Sequence, residues 1–120
     1  MIRVALADDA SDIRFLVRFA LELDGRFEVV GDAADGREAI ALIEREAPDV
    51  VVLDMGMPNM DGLEVLVEMK NRGLRSKVLA LSGFNGGVED QARELGADGY
   101  LRKGTAAMAE IVPNLLAICV

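Results

Sequence analysis

Val50-Val51-Val52-Leu53-Asp54-Met55-Gly56-Met57-Pro58-Asn59-Met60-Asp61-Gly62 is the stretch from which the rest of the chain is best read. Four apolar residues run straight into a carboxylate, then into glycine and proline. A run that is apolar at every position, not at every second one, reads as a strand buried on both faces, as in a parallel sheet covered by helices. In such sheets ligands and reactions sit beyond the carboxyl ends of the strands. A buried strand that ends on Asp54 therefore places a carboxylate where chemistry can happen.

The same pattern extends in both directions. Ile2–Ala7 reads as a first strand, and Ser11–Leu23 as a helix with Ile13, Leu16, Val17, Ala20 and Leu21 on its core face. Asp24-Gly25 stops that helix, and Phe27–Val30 is a second strand. Gly36–Glu46 reads as a helix with Ala39, Ile40, Ile43 and Ala47 turned inward and Pro48 beyond its end. After the strand Val50–Leu53, the segment Gly62–Asn71 carries Leu63, Leu66, Val67 and Lys70 at helical spacing. Val78–Leu81 is a fourth strand. Val88, Ala92 and Leu95 mark a fourth helix ended by Gly96, and Gly99–Leu101 is a short fifth strand. Ala106–Ile118 is the last helix, with Pro113 expected to kink it or delay its start. Five strands alternating with five helices, joined by right-handed crossovers, give an α/β doubly wound parallel sheet with helices on both faces.

Composition narrows the function. The 120 residues suit one domain, spanning 1–120, and an apolar content of 52% excludes a disordered chain. Twenty-one acidic against 13 basic residues give a net charge of −8, which argues against direct nucleic-acid binding and fits a metal cation or a basic partner. The single cysteine, Cys119, cannot form an internal disulfide. No apolar run is long enough for a signal peptide or a membrane span, so a cytoplasmic protein is expected. The absence of histidine removes imidazole bases and ligands.

At the strand ends stand Asp8 and Asp9, then Asp54, then Ser82-Gly83, then Arg102 and Lys103. Each has an ordinary explanation. Asp8 or Asp9 can cap the first helix, although Ser11 can do that work. Asp54 can be a turn residue, Ser82 a structural hydroxyl, and Lys103 a solvated surface charge. Their joint occurrence at four strand ends is what asks for a common purpose. Crowded carboxylates raise one another's pKa unless a cation neutralises them, and oxygen ligands select a hard ion such as Mg²⁺. A carboxylate can also act as a nucleophile toward phosphorus, and phosphoryl transfer needs little beyond positioning and neutralised oxygens.

With these residues in place, the sequence resembles the receiver domain of bacterial two-component response regulators over essentially its whole length. The resemblance rests on Asp8-Asp9, on Asp54-Met55-Gly56-Met57-Pro58-Asn59-Met60-Asp61-Gly62, on Leu81-Ser82-Gly83, and on Gly96-Ala97-Asp98-Gly99-Tyr100-Leu101-Arg102-Lys103. It implies a flavodoxin-like fold with strand order 2-1-3-4-5. It implies that Asp54 accepts a phosphoryl group from a histidine kinase or phosphotransfer protein. Mg²⁺ would be held by Asp9 directly, by Asp8 through water, by Asp54 and by the carbonyl of Gly56. Lys103 would contact the phosphoryl oxygens. Ser82 would turn toward them and Tyr100 would move inward, remodelling the surface of the fourth helix, fifth strand and fifth helix toward an effector. No catalysis is implied beyond the domain's own phosphorylation and dephosphorylation.

The chain departs from the family pattern at three glycines. Gly104 follows the lysine where a cis-proline is frequent, so a trans peptide is expected. The Lys103-Gly104 pair is similar to that of receivers joined to helix-turn-helix regulators. Gly83 replaces a common alanine and loosens the switching loop. Gly56 has no side chain to hold a water, and Phe84 is apolar, so a long-lived phosphorylated state is expected. Alternative readings are a receiver-like interaction module that works without phosphorylation, and a phosphatase with an aspartyl nucleophile, which wants a second acid where Gly56 stands. Flavin binding fits less well, because no phosphate loop follows the first strand. On the first helix, Phe15 and Phe19 fall off the core stripe and form an apolar ridge suited to docking on a kinase helical bundle.

Overall fold

The three central strands of the sheet form where Val, Leu, Ile and Ala are buried on both sides at once, while the two edge strands are only partly buried. The computed structural model describes residues 1–83 and 86–119, with backbone only at 86 and 105–107. The strands are β1 (Ile2–Ala7), β2 (Phe27–Ala33), β3 (Val50–Asp54), β4 (Lys77–Ser82) and β5 (Gly99–Arg102). They form one parallel sheet in the order β2-β1-β3-β4-β5, so β1 and β3 flank the point where the order reverses. The helices are α1 (Ser11–Asp24), α2 (Gly36–Glu46), α3 (Gly62–Asn71), α4 (Glu89–Glu94) and α5 (Thr105–Cys119), with a short 3-10 turn at Gly86–Val88 before α4.

Alternation along the strands divides the core in two. Val4, Leu6, Val50, Val52, Leu79 and Leu81 face Val17 and Leu21 of α1 and Ile111 and Leu115 of α5. Ala5, Ala7, Val51, Leu53, Val78 and Ala80 face α2, α3 and α4. The second face is richer in alanine, which lets three helices approach the sheet closely. β3 is buried at all five positions, Asp54 included.

Several expectations shift on inspection. β2 continues to Ala33, because a bulge lets it regain register: Val4 pairs with Val29 but Ala5 pairs with Gly31. Ladder pairing also takes β4 to Ser82 and β5 to Arg102. Ala47 does not face inward; it closes α2 in the left-handed region at φ 44° and is exposed. The inward face of α3 is Val65, Leu66 and Met69, while Val67 and Lys70 are exposed, a phase set by the close approach of the helix start to β3. Leu16 of α1 is 47% exposed, since Val17 and Leu21 take the sheet-facing positions. Ser11 does not cap α1: Ala10 holds the cap position and makes no side-chain bond.

Pro113 neither starts nor ends α5, which runs unbroken through it. A proline inside a helix leaves the carbonyl four residues back without a donor. The Asn114 side chain reinforces the same turn by donating to the Glu110 carbonyl at 2.8 Å. No peptide bond among the described residues is cis, that between Lys103 and Gly104 included.

Candidate phosphoacceptor and metal site

The sheet delivers its polar residues to one edge. Ala7 pairs with Leu53, so Asp8 and Asp54 leave neighbouring strands at the same level, and Leu81 pairs with Asp54, so Ser82 follows one step beyond. The Lys103 N–H donates to the Ser82 carbonyl at 2.7 Å, which carries the lysine to the same level. Asp8, Asp9, Asp54 and Lys103 thus meet in one cluster, with Ser82 on the next strand at the same edge, while Gly83 and Arg102 are exposed.

Asp54 is 3% exposed. Its Oδ1 accepts the Gly56 N–H at 3.1 Å, and its Oδ2 lies 3.0 Å from Lys103 Nζ. Burial pushes its carboxyl above the usual carboxylate range; the Gly56 bond and Lys103 pull it back, and the nearby Asp8 adds to the rise. Asp8 is equally buried. Its Oδ1 accepts the Ala10 N–H at 2.8 Å, and its Oδ2 lies 2.9 Å from Lys103 Nζ. That ion pair is the only polar contact of the buried Oδ2 among the described residues. Burial works to lower the Lys103 ammonium, but Asp8 and Asp54 outweigh it and hold it above its ordinary value. Asp9 is exposed at the rim, and one carboxylate oxygen from each of Asp8, Asp9 and Asp54 falls within 4.8 Å of the others.

The donor set fits Mg²⁺. It is all oxygen, and its three carboxylates within 4.8 Å of one another face the one ammonium of Lys103, so it carries excess negative charge. Gly56 sits beside this cluster: a β-carbon there would meet only Asp54 Oδ1, at 3.9 Å. Ser82 is buried, with its hydroxyl directed at the neighbouring Gly83 carbonyl at 3.3 Å. Tyr100 is already half-buried against the α2–α4 face, and its hydroxyl is buried with no partner among the described residues. Phe84 lies outside the described residues.

The loop after β3 is held by groups that the motif reading did not use. Asp61 caps α3 and Glu64 returns the bond, a reciprocal pair whose three-residue spacing was a readable signal. Asn59, at φ 67°, donates to Asp35 Oδ2 at 2.8 Å, tying this loop to the start of α2. Gly62 lets α3 begin against the end of β3, since a β-carbon there would lie 2.6 Å from the Asp54 carbonyl oxygen.

Comparison with known proteins agrees with this geometry. The family model for the response regulator receiver domain matches residues 4–114. The probable transcriptional regulatory protein NarL of Mycobacterium tuberculosis is 39% identical over 116 residues, 96% of this chain and 53% of that protein. A putative transcriptional regulator of Pseudomonas aeruginosa is 38% identical over 104 residues, 86% of this chain and 50% of that protein. The chain thus spans about half the length of these curated relatives. The solved signal receiver domain of the M. tuberculosis putative response regulator NarL superposes with a TM-score of 0.89 at 38% identity, over 98% of this chain and 95% of that one. A LuxR-family DNA-binding response regulator from Staphylococcus aureus superposes at 0.90 with 30% identity and full coverage of both chains. With its five-stranded flavodoxin-like sheet and its acidic cluster at the switch point, the chain belongs to the response regulator receiver domain family.

Proposed function

We propose that residues 1–120 form a phosphoacceptor domain in which Asp54 takes a phosphoryl group from the histidine of a sensor kinase or phosphotransfer protein. The observation that carries this reading is the Asp54 carboxylate itself: buried, pushed toward its protonated form, and 3.0 Å from the Lys103 ammonium. A group held this way costs folding energy, and such costs are retained where chemistry uses them. In the transfer, an Asp54 oxygen forms the new P–O bond, the donor's P–N bond breaks, and the electron pair stays on the donor nitrogen. Asp8, Asp9, Asp54 and the Gly56 carbonyl would hold Mg²⁺, which supplies neutralising charge to the phosphoryl oxygens. Lys103 supplies a second positive charge, already in place between Asp8 and Asp54.

Ser82 and Tyr100 are the switch pair in this reading. Phosphorylation gives the Ser82 hydroxyl a better acceptor than the 3.3 Å contact to Gly83, and Tyr100, whose hydroxyl has no partner among the described residues, follows on β5. The phosphoryl group shifts the population of one conformer of the α4–β5–α5 surface. Phe15 and Phe19 are 67% and 58% exposed, with stacked rings 6.5 Å apart, and they supply the docking ridge for the kinase. The relatives' names, a putative transcriptional regulator and a probable transcriptional regulatory protein, support a transcriptional effector as the downstream partner, with DNA contacted by that effector and not by this acidic domain. No described helix is long and apolar enough to cross a membrane, and a cytoplasmic place fits a kinase-fed domain.

Incubation with a small acyl phosphate, with Mg²⁺ or with chelator, tests this reading by intact mass. A single added phosphoryl group that depends on Mg²⁺ is expected. Steady hydrolysis of phosphoesters would instead favour a phosphatase, and an unchanged mass would favour a module that works without phosphorylation.

A further inference from the structure

We infer that Arg14 is a positioning residue for the acidic site: it clamps the turn between β1 and α1 so that Asp8 and Asp9 present their carboxylates to the cation together with Asp54. The inference rests on the Mg²⁺ reading of that site. The turn needs such a clamp. Its cap residue, Ala10, has no side-chain acceptor, and Ser11 already lies within the helix. Two bonds hold it instead: the Ala10 N–H donates to Asp8 Oδ1, and Arg14 Nη1 donates to the Asp8 carbonyl at 2.6 Å.

Arg14 is an odd residue for its place. It stands in the first turns of α1, where the helix dipole disfavours a cation. Its side chain is only 20% exposed. At its other edge, Nε lies 3.5 Å from Asp32 Oδ2 on β2, buried and without a hydrogen bond among the described residues. The ordinary explanation is a surface ion pair with Asp32. Arg18 already faces the same carboxylate at 3.6 Å, so that pairing does not require Arg14. The bond that Arg14 alone makes is the one to Asp8. With it, Asp8 has its N–H on Ala33, its carbonyl on Arg14 and its Oδ1 on Ala10. Oδ2 is the oxygen that no backbone group holds; its neighbour at 2.9 Å is the Lys103 ammonium, which also pairs with Asp54.

The sign of one measurement separates clamp from charge. Removing a positive group near three carboxylates should tighten Mg²⁺ binding by Coulomb's law alone. The clamp predicts the opposite: calorimetric titration of Arg14→Gln should show Mg²⁺ affinity falling about tenfold, the usual scale for a group that orients a metal ligand. Arg14→Lys, which keeps the charge without the planar fork, should also fall, while Arg18→Gln should bind as well as wild type or better. Amide exchange should quicken at Ala10 in Arg14→Gln but not at Val17 in the middle of α1, which shows that the helix is intact. Wild-type protein that binds no Mg²⁺ would overturn the metal reading itself. Wild type that binds, with Arg14→Gln binding equally or more tightly, would overturn the role of Arg14 alone.

Discussion

Val50, Val51, Val52 and Leu53 share with Asp54 one strand, one hydrogen-bond ladder and near-complete burial. The first four meet apolar side chains on both faces of the sheet. Asp54 meets a lysine, a second carboxylate and a backbone N–H. Burial stabilises the fold through the first four and opposes it through the fifth. The difference teaches that burial alone does not report what a residue is for. The lower part of the strand holds the upper part in place, and the upper part bears a cost the fold does not need.

Substitutions along β3 should therefore change sign within one residue. Leu53→Ala removes a fully buried side chain and should destabilise by about 2–5 kcal/mol in denaturant or thermal unfolding. A loss below about 1 kcal/mol would mean that the strand is not the rigid support described here.

Asp54→Asn should act the other way and raise the stability of the metal-free protein by about 1 kcal/mol, as relief of functional-site strain commonly does. The sign follows from the carboxyl, whose folded-state pKa is raised by burial. The folded protein then binds that proton more tightly than the unfolded chain, so ionisation costs stability at neutral pH. The cost fades as pH falls toward the unfolded carboxylate range, about 4. The gap between wild type and Asp54→Asn should accordingly narrow between pH 7 and pH 4. A gap that widens on acidification would contradict the assignment of strain to Asp54. Mg²⁺ should also bind more weakly over the same range, because protons compete for the same oxygens.

Smaller effects sharpen the contrast beside the strand. Gly56→Asn should leave stability within about 0.5 kcal/mol, because the position is exposed and its side chain would have room. It should shorten the life of the phosphorylated state by giving an attacking water a polar neighbour, read by loss of the phosphoryl mass with time. An unchanged or longer lifetime would show that water placement does not limit hydrolysis. Phe15→Ala should cost under about 1 kcal/mol, mostly lost stacking on Phe19, while slowing transfer from the kinase and not from a small phosphodonor. A cost of 3 kcal/mol or more would place that ring in the core.

The order of strands and helices was legible because the buried strands are apolar at every position and the helices carry a 3.6-residue period. The acidic site was legible because the fold rule points to strand ends, and Asp8, Asp9, Asp54, Ser82 and Lys103 all stand there. The Asp61–Glu64 capping pair had a local signal in its spacing, but the rest of what escaped had none. The bulge at Val30 is set by pairing with β1, and the phase of α3 by its docking on β3. Pro113 breaks a rule that packing against the sheet overrides, since Ile111 and Leu115 on either side of it are fully buried. The bond from Arg14 to the Asp8 carbonyl joins a side chain to a backbone atom six residues away, which no residue pattern announces.

The most direct test compares wild type with Asp54→Asn after incubation with a small acyl phosphate and Mg²⁺, with the modified residue located by peptide mass. Wild type should gain one phosphoryl group on the peptide that contains Asp54, and the variant, folded and more stable, should gain none. A variant labelled to the wild-type level, or a phosphoryl group found on Asp8 or Asp9, would contradict the claim that β3 is built to hold a nucleophile.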